Sequence, residues 1–153
     1  MNERISEHIS YAEAVASQEA VRKGIDNTPG PNDLIRMRIV AEKVFEPLRK
    51  AIGKPLHISS FYRCPELNKS IGGSATSQHC EGEAIDISCG EINKEIFYWI
   101  KNNLEYDQVI WEFGDHNNPA WVHVSFTLQR PNRQQALIVS IKNGKSQYTD
   151  FYE

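Results

Sequence analysis

The chain is poor in cysteine, in excess basic charge and in long apolar runs. Its three cysteines, Cys64, Cys80 and Cys89, are odd in number and lack C-x-x-C spacing. That argues against a disulfide framework and for free thiols in a reducing compartment. Seventeen Lys and Arg against twenty Asp and Glu leave a net charge of −3, so nothing electrostatic favours nucleic acid. No stretch approaches the length of a transmembrane helix, and no membrane partner is expected. The start, Met1-Asn2-Glu3-Arg4-Ile5-Ser6-Glu7, lacks the basic residues and apolar run of a secretory signal, so synthesis in the cytoplasm is expected. At 153 residues one domain over 1–153 is expected, acting as a monomer.

What is present reads as an α+β chain, an antiparallel sheet with packed helices. Residues 1–30 form a helical decoration. Ser10 and Ser17 are N-caps, Glu13 sits in capping-box register after Ser10, and Gly24 is a stop. His8 is a surface or packing residue. A long helix runs from Asp33 to about Ala51 with Leu34, Ile35, Val40, Val44, Phe45 and Leu48 on one stripe. Pro47 predicts a kink near Lys43 or a break. A strand over Leu56–Phe61 and a helix over Pro65–Ser70 follow. Glu91–Asn102 is a second amphipathic helix with Ile92, Ile96, Trp99 and Ile100 inward. Gln108–Phe113 and Trp121–Phe126 make one hairpin. Ala136–Lys142 and Ser146–Phe151 make another around Asn143-Gly144, a type I′ turn signal.

Chemistry concentrates in Ser77-Gln78-His79-Cys80-Glu81-Gly82-Glu83-Ala84-Ile85-Asp86 and in Trp121-Val122-His123-Val124-Ser125. His79 and Asp86 are seven residues apart, which is not one helical face. Gly82 reads as a turn with positive φ, and Ala84–Ser88 alternates as a strand. A loop histidine can therefore fold back over a strand whose aspartate points the same way. In the second segment Trp121, His123 and Ser125 share the face expected to look into a cleft. Val122, Val124 and Phe126 face the core. Two imidazoles and a carboxylate leave one position of a tetrahedral zinc open, as in catalytic rather than structural sites.

Ser77, His79, Gly82, Ala84 and Asp86, followed by Trp121 and His123, spell Ser-x-His-x-x-Gly-x-Ala-x-Asp and Trp-x-His. This resembles the zinc D-alanyl-D-alanine carboxypeptidases and L-alanyl-D-glutamate endopeptidases, including phage endolysins. Ser60-Phe61-Tyr62-Arg63 with Asn68, and Trp111-Glu112-Phe113-Gly114, extend the likeness toward the carboxypeptidase C-terminal-like subgroup. It spans roughly Asp33 to Tyr148. The resemblance implies the zinc-peptidase fold shared with the hedgehog signalling domain, with Zn2+ on His79, Asp86 and His123. It also implies hydrolysis of peptidoglycan stem peptides by a metal-activated water, as carboxypeptidase or endopeptidase. Action on the cell wall would follow release by phage lysis or from a virion.

Several family members carry the catalytic acid three positions before the last histidine, where this chain has Ala120. Glu112 is the expected substitute, placed roughly across a hairpin from His123; the alternatives are Asp115, which with His116 would sit at the loop tip, or no acid at all. Arg63, at a strand-to-helix junction, is expected to present its planar fork to a substrate carboxylate. The competing role for Arg63 is an ion pair with Glu66. Ser77 and Gln78 are candidates for substrate binding, Ser77 equally for fixing the His79 loop, and Asn68 for holding backbone. Two other readings stand beside this one. One is a zinc-containing wall-binding module without catalysis. The other is a structural zinc site closed by His116 or Cys80.

Overall fold

The computed structural model describes residues 3–152. The chain opens on a small antiparallel pair, β1 (Arg4–Ser6) and β2 (Ile9–Ser10). His8 within it bonds Glu46 through both its backbone N–H and its ring, tying this corner to a later helix. Helix α1 (Tyr11–Val15) starts at Ser10, whose hydroxyl accepts from Glu13 N–H while the Glu13 carboxylate reaches back to the cap, a complete capping box. Helix α2 (Gln18–Lys23) starts at Ser17 and stops at left-handed Gly24. The caps fall where the sequence puts them; the β1–β2 pair does not appear in its pattern.

The expected long helix is three pieces. Helix α3 (Pro31–Val40) begins two residues before Asp33, with Pro31 in the first turn and Asp33 accepting from Gly30 N–H at 3.1 Å. A π-helical turn (Ala41–Phe45) separates it from α4 (Glu46–Ile52). Pro47 has no N–H for the carbonyl of Lys43, and Glu46 N–H reaches back to Ala41 O. The helix widens at the predicted point instead of breaking. Met37, Val40, Val44, Phe45 and Leu48 from this rod are fully buried. Helix α5 (Pro65–Ser70) and α6 (Asn93–Asn103) complete the helical set, with Ile96, Phe97 and Ile100 of α6 in the core.

Among the described residues six strands form the main sheet: β3 (Ile58–Ser60), β4 (Ala84–Ile87), β5 (Gln108–Glu112), β6 (Trp121–Ser125), β7 (Gln135–Lys142) and β8 (Lys145–Asp150). Their order is β3-β4-β6-β5-β7-β8. The class is α+β, but the sheet is mixed, because β7 lies parallel to β5. After β6 the chain passes through residues 126–134 and returns to the free side of β5, pointing the same way. The β7–β8 turn is as predicted, with Asn143 at φ 54° and Gly144 at φ 76°.

One face of this sheet packs on the helices through Val109, Trp111, Val122 and Val124, which are buried in the main core. The other face carries two rows of side chains across the strands. Asp86, His123, Ile110, Leu137 and Asp150 are successive partners in one row. Trp121, Glu112, Val139 and Tyr148 are successive partners in the next. Paired residues on neighbouring strands share a face, so the register alone delivers these side chains to one cleft.

Candidate metal centre

His79 lies in a 3-10 turn (Gln78–Glu81) capped by Ser77, whose hydroxyl accepts from His79 N–H. Gly82 closes the turn at φ 74°. A Cβ there would stand 2.6 Å from Asp33 O and 2.7 Å from Met37 Cγ, so only glycine lets the turn seat against α3. The chain then enters β4, where Asp86 pairs with His123 of β6.

Ligand atoms of His79, Asp86 and His123 all lie within 4.8 Å of one another. The rings of His79 and His123 meet edge to face at 5.2 Å. Nδ1 of His79 is 2.7 Å from the carbonyl of Phe61. A carbonyl can only accept, so the proton sits on Nδ1 and Nε2 carries the lone pair. That Nε2 is buried without a hydrogen-bond partner. Asp86 Oδ2 is 3.3 Å away, near enough for electrostatic contact but not aligned as a hydrogen bond. His123 Nδ1 is 3.0 Å from Asp86 Oδ1. Burial alone would raise the Asp86 pKa; positive charge on the two imidazoles would outweigh it and hold the carboxyl well below the usual range.

A buried imidazole nitrogen with a free lone pair, its tautomer set by a carbonyl, is how a histidine metal ligand is prepared. The N, N, O donor set suits zinc. Among the described residues, no fourth His, Cys, Asp or Glu completes the group. His116 is exposed at the loop tip, and the three cysteines are free.

The site opens into a cleft of about 1660 Å³ lined by Arg63, Ser77, Gln78, Glu112, Trp121 and Tyr148 among others. Glu112 pairs with Trp121, and His123 with Ile110. Glu112 therefore lies roughly across from His123, two residues along the strand from its direct partner Ile110. A shift of two keeps Glu112 on the His123 face. Phe113 and Gly114, both at positive φ, turn the chain immediately after Glu112. Phe113 then packs against Trp121 with ring centroids 5.3 Å apart. Glu112 is 8% exposed. Burial pushes its carboxyl up to about 7; Asp86 adds to that, and His123 and Arg63 oppose it.

Arg63 sits between β3 and α5, where its N–H donates to His79 O. Its Nε is buried without a partner, and among the described residues no ion pair with Glu66 forms. Asn68 donates to Ser74 O at 2.7 Å and so holds the loop beside the cleft. Ser125 departs from expectation. It is fully buried, and its hydroxyl accepts from Gln108 N–H instead of facing the cleft. Sequence reasoning missed the cleft positions Ile110, Leu137 and Tyr148, because their common face follows from strand order. It also missed the Phe61 carbonyl, a backbone group with no side-chain signature.

Three side chains that could hold a metal, a buried carboxylate and an arginine without an ion pair among the described residues, all in one cleft, are the parts of a metallohydrolase type of centre. The chain matches the family model described as Peptidase M15 over residues 7–125. It belongs to peptidase family M15, whose members are zinc peptidases. No curated protein matches it.

Proposed function

We propose that this protein is a zinc-dependent hydrolase of peptide bonds in peptidoglycan stem peptides, built on the zinc-peptidase fold of its family. The observation that supports it most is the convergence of His79, Asp86 and His123 with Glu112 and Arg63 on one cleft.

His79, Asp86 and His123 would hold the zinc, which when bound supplies Lewis-acid polarisation and water activation near neutral pH. Glu112 accepts the proton of the attacking water and returns it to the leaving amine. A carboxyl raised by burial toward neutrality is suited to both transfers. The Arg63 guanidinium, which forms no ion pair among the described residues, pairs with a carboxylate of the stem peptide, where D-alanine and D-glutamate offer free ones. Ser77 holds the His79 turn, and Gln78 faces substrate from the same loop. Ala120 at the usual acid position favours a binding module without catalysis; the cleft-facing carboxylate of Glu112 on the neighbouring strand supports catalysis instead.

The test is mass spectrometry of purified muropeptides after incubation with zinc-loaded protein. Cleavage is expected, and the product masses separate loss of a terminal D-alanine from a cut between the first two residues. Stems left intact across several wall chemistries after prolonged incubation would refute the substrate assignment.

A further inference from the structure

The family match ends at Ser125, before the β7–β8 hairpin begins at Gln135. Yet the hairpin is part of the cleft. Leu137 and Val139 on β7 join Ile110 of β5 in a small apolar cluster, separate from the main core, with Phe113 packed against it. Ile110, Leu137 and Phe113 line the cleft that holds the metal group, and Val139 lies buried beneath. The next strand, β8, is exposed at every position and contributes little burial. Its cleft-facing members are Tyr148 and Asp150.

Tyr148 stands in the same row as Glu112, with Val139 between them. Strands are about 4.8 Å apart, so two steps put the Tyr148 backbone about 10 Å from that of Glu112. That is about three residues of an extended peptide at roughly 3.3 Å each. Tyr148 is 56% exposed, which leaves its ring open to a ligand. Its hydroxyl nevertheless feels partial burial and the charges of Glu112 and Asp86, which raise its pKa. A strand that only protected a sheet edge would gain nothing from an open aromatic ring in the cleft wall.

We propose that the β7–β8 hairpin is a substrate-binding wall of this peptidase and that Tyr148 is its specificity-determining residue. Tyr148, with Ile110 and Leu137 beside it in the cleft wall, receives an uncharged side chain of the peptide, within about three residues of the bond cut. Asp150, in the adjacent row, disfavours a carboxylate there. The inference rests on the reading of the cleft as a peptidase site, and the experiment separates the two.

Tyr148→Ala and Tyr148→Phe are compared with the parent, all zinc-loaded, on the stem peptide that the parent cuts best. Metal content and Tm are measured alongside. Tyr148→Ala is expected to raise KM about tenfold, the effect of a lost aromatic contact, with kcat and metal content unchanged. Tyr148→Phe, which keeps the ring, is expected to recover most of that loss. Replacing the carboxylate of the peptide residue that faces Tyr148, not the one that pairs with Arg63, by its carboxamide is expected to improve KM for the parent and less for Asp150→Asn. KM within twofold of the parent for Tyr148→Ala overturns the proposal, as does a loss that tracks Tm or zinc content. If the parent cuts no stem peptide, the substrate reading fails by itself. Binding of the same peptides to the parent and to Tyr148→Ala then decides the wall, and equal affinity or no binding by both overturns it.

Discussion

Two buried aspartates in this sheet show how structural and chemical carboxylates differ. Asp107, just before β5, is fully buried and accepts from both Arg130 and Arg133, with side-chain contacts of 2.8–3.1 Å and a backbone bond from Arg133 N–H. Every partner is a permanent donor, and the knot ties the 126–134 crossover to the start of β5. Asp86, on β4, faces two imidazoles, with His123 Nδ1 at 3.0 Å and His79 Nε2 at 3.3 Å. Imidazoles can give up their protons, and one of these presents a lone pair with no protein partner. The charge of Asp107 is spent on the fold, while that of Asp86 is available to a cation.

The sharpest way to break the comparison is to remove each carboxylate in turn. Asp86→Ala should cost zinc affinity more than the roughly 10–100-fold typical of a partner behind a ligand, and activity should go with it. Zinc titration with a competing chelator measures the first and muropeptide turnover the second. Zinc held as tightly as by the parent would exclude Asp86 as a ligand.

Glu112 is the intermediate case, buried like Asp107 but without its arginines. Glu112→Gln should retain zinc and lose about 10²–10⁴-fold in kcat, the usual worth of general acid–base help. Undiminished turnover would move the proton transfer to another group. The same substitution tests the pH dependence of stability in metal-free protein. The Glu112 pKa is raised from 4.5 to about 7, so ionisation opposes folding. Its contribution is intact below about pH 4.5 and is lost as pH rises toward 7, by roughly 3 kcal/mol at most. Urea melts from pH 4 to 8 should show that slope in the parent and a flatter profile in Glu112→Gln.

These contrasts also mark what the sequence could disclose. Ser10, Ser17, Gly24, Gly82 and Asn143-Gly144 act through local backbone chemistry, and each appears where the pattern puts it. The meeting of His79, Asp86 and His123 was legible because the motif spacing resembles a known zinc peptidase site. The parallel β5–β7 pairing was not, since alternation in a strand says which residues share a face and nothing about which strand lies alongside. The Asp107 knot stayed hidden for the same reason: its arginines are more than twenty residues away and belong to a connection with no periodic pattern. The π turn lies between. Pro47 announces a disturbance, but whether a helix kinks, breaks or widens depends on what packs around it.

The smallest expected effect comes from the structural member of the pair. Asp107→Asn keeps the shape and removes the charge. Arg130 and Arg133 are nearly half exposed, at 45% and 47%, so water can take over much of what they lose. The cost should be that of weakened hydrogen bonds to charged groups, about 1–3 kcal/mol, rather than that of two stranded buried cations. The pH dependence runs opposite to that of Glu112. Burial would raise the Asp107 pKa, but bonds from Arg130 and Arg133 hold it well below 3.8. Its contribution is therefore present above about pH 3.8 and lost as pH falls through the folded value. Melts taken from pH 6 down to 2 should be steeper for the parent than for Asp107→Asn, with zinc content at neutral pH the same in both. A steeper acid limb in the variant, or a loss of zinc, would show that the knot and the metal group are one cooperative unit.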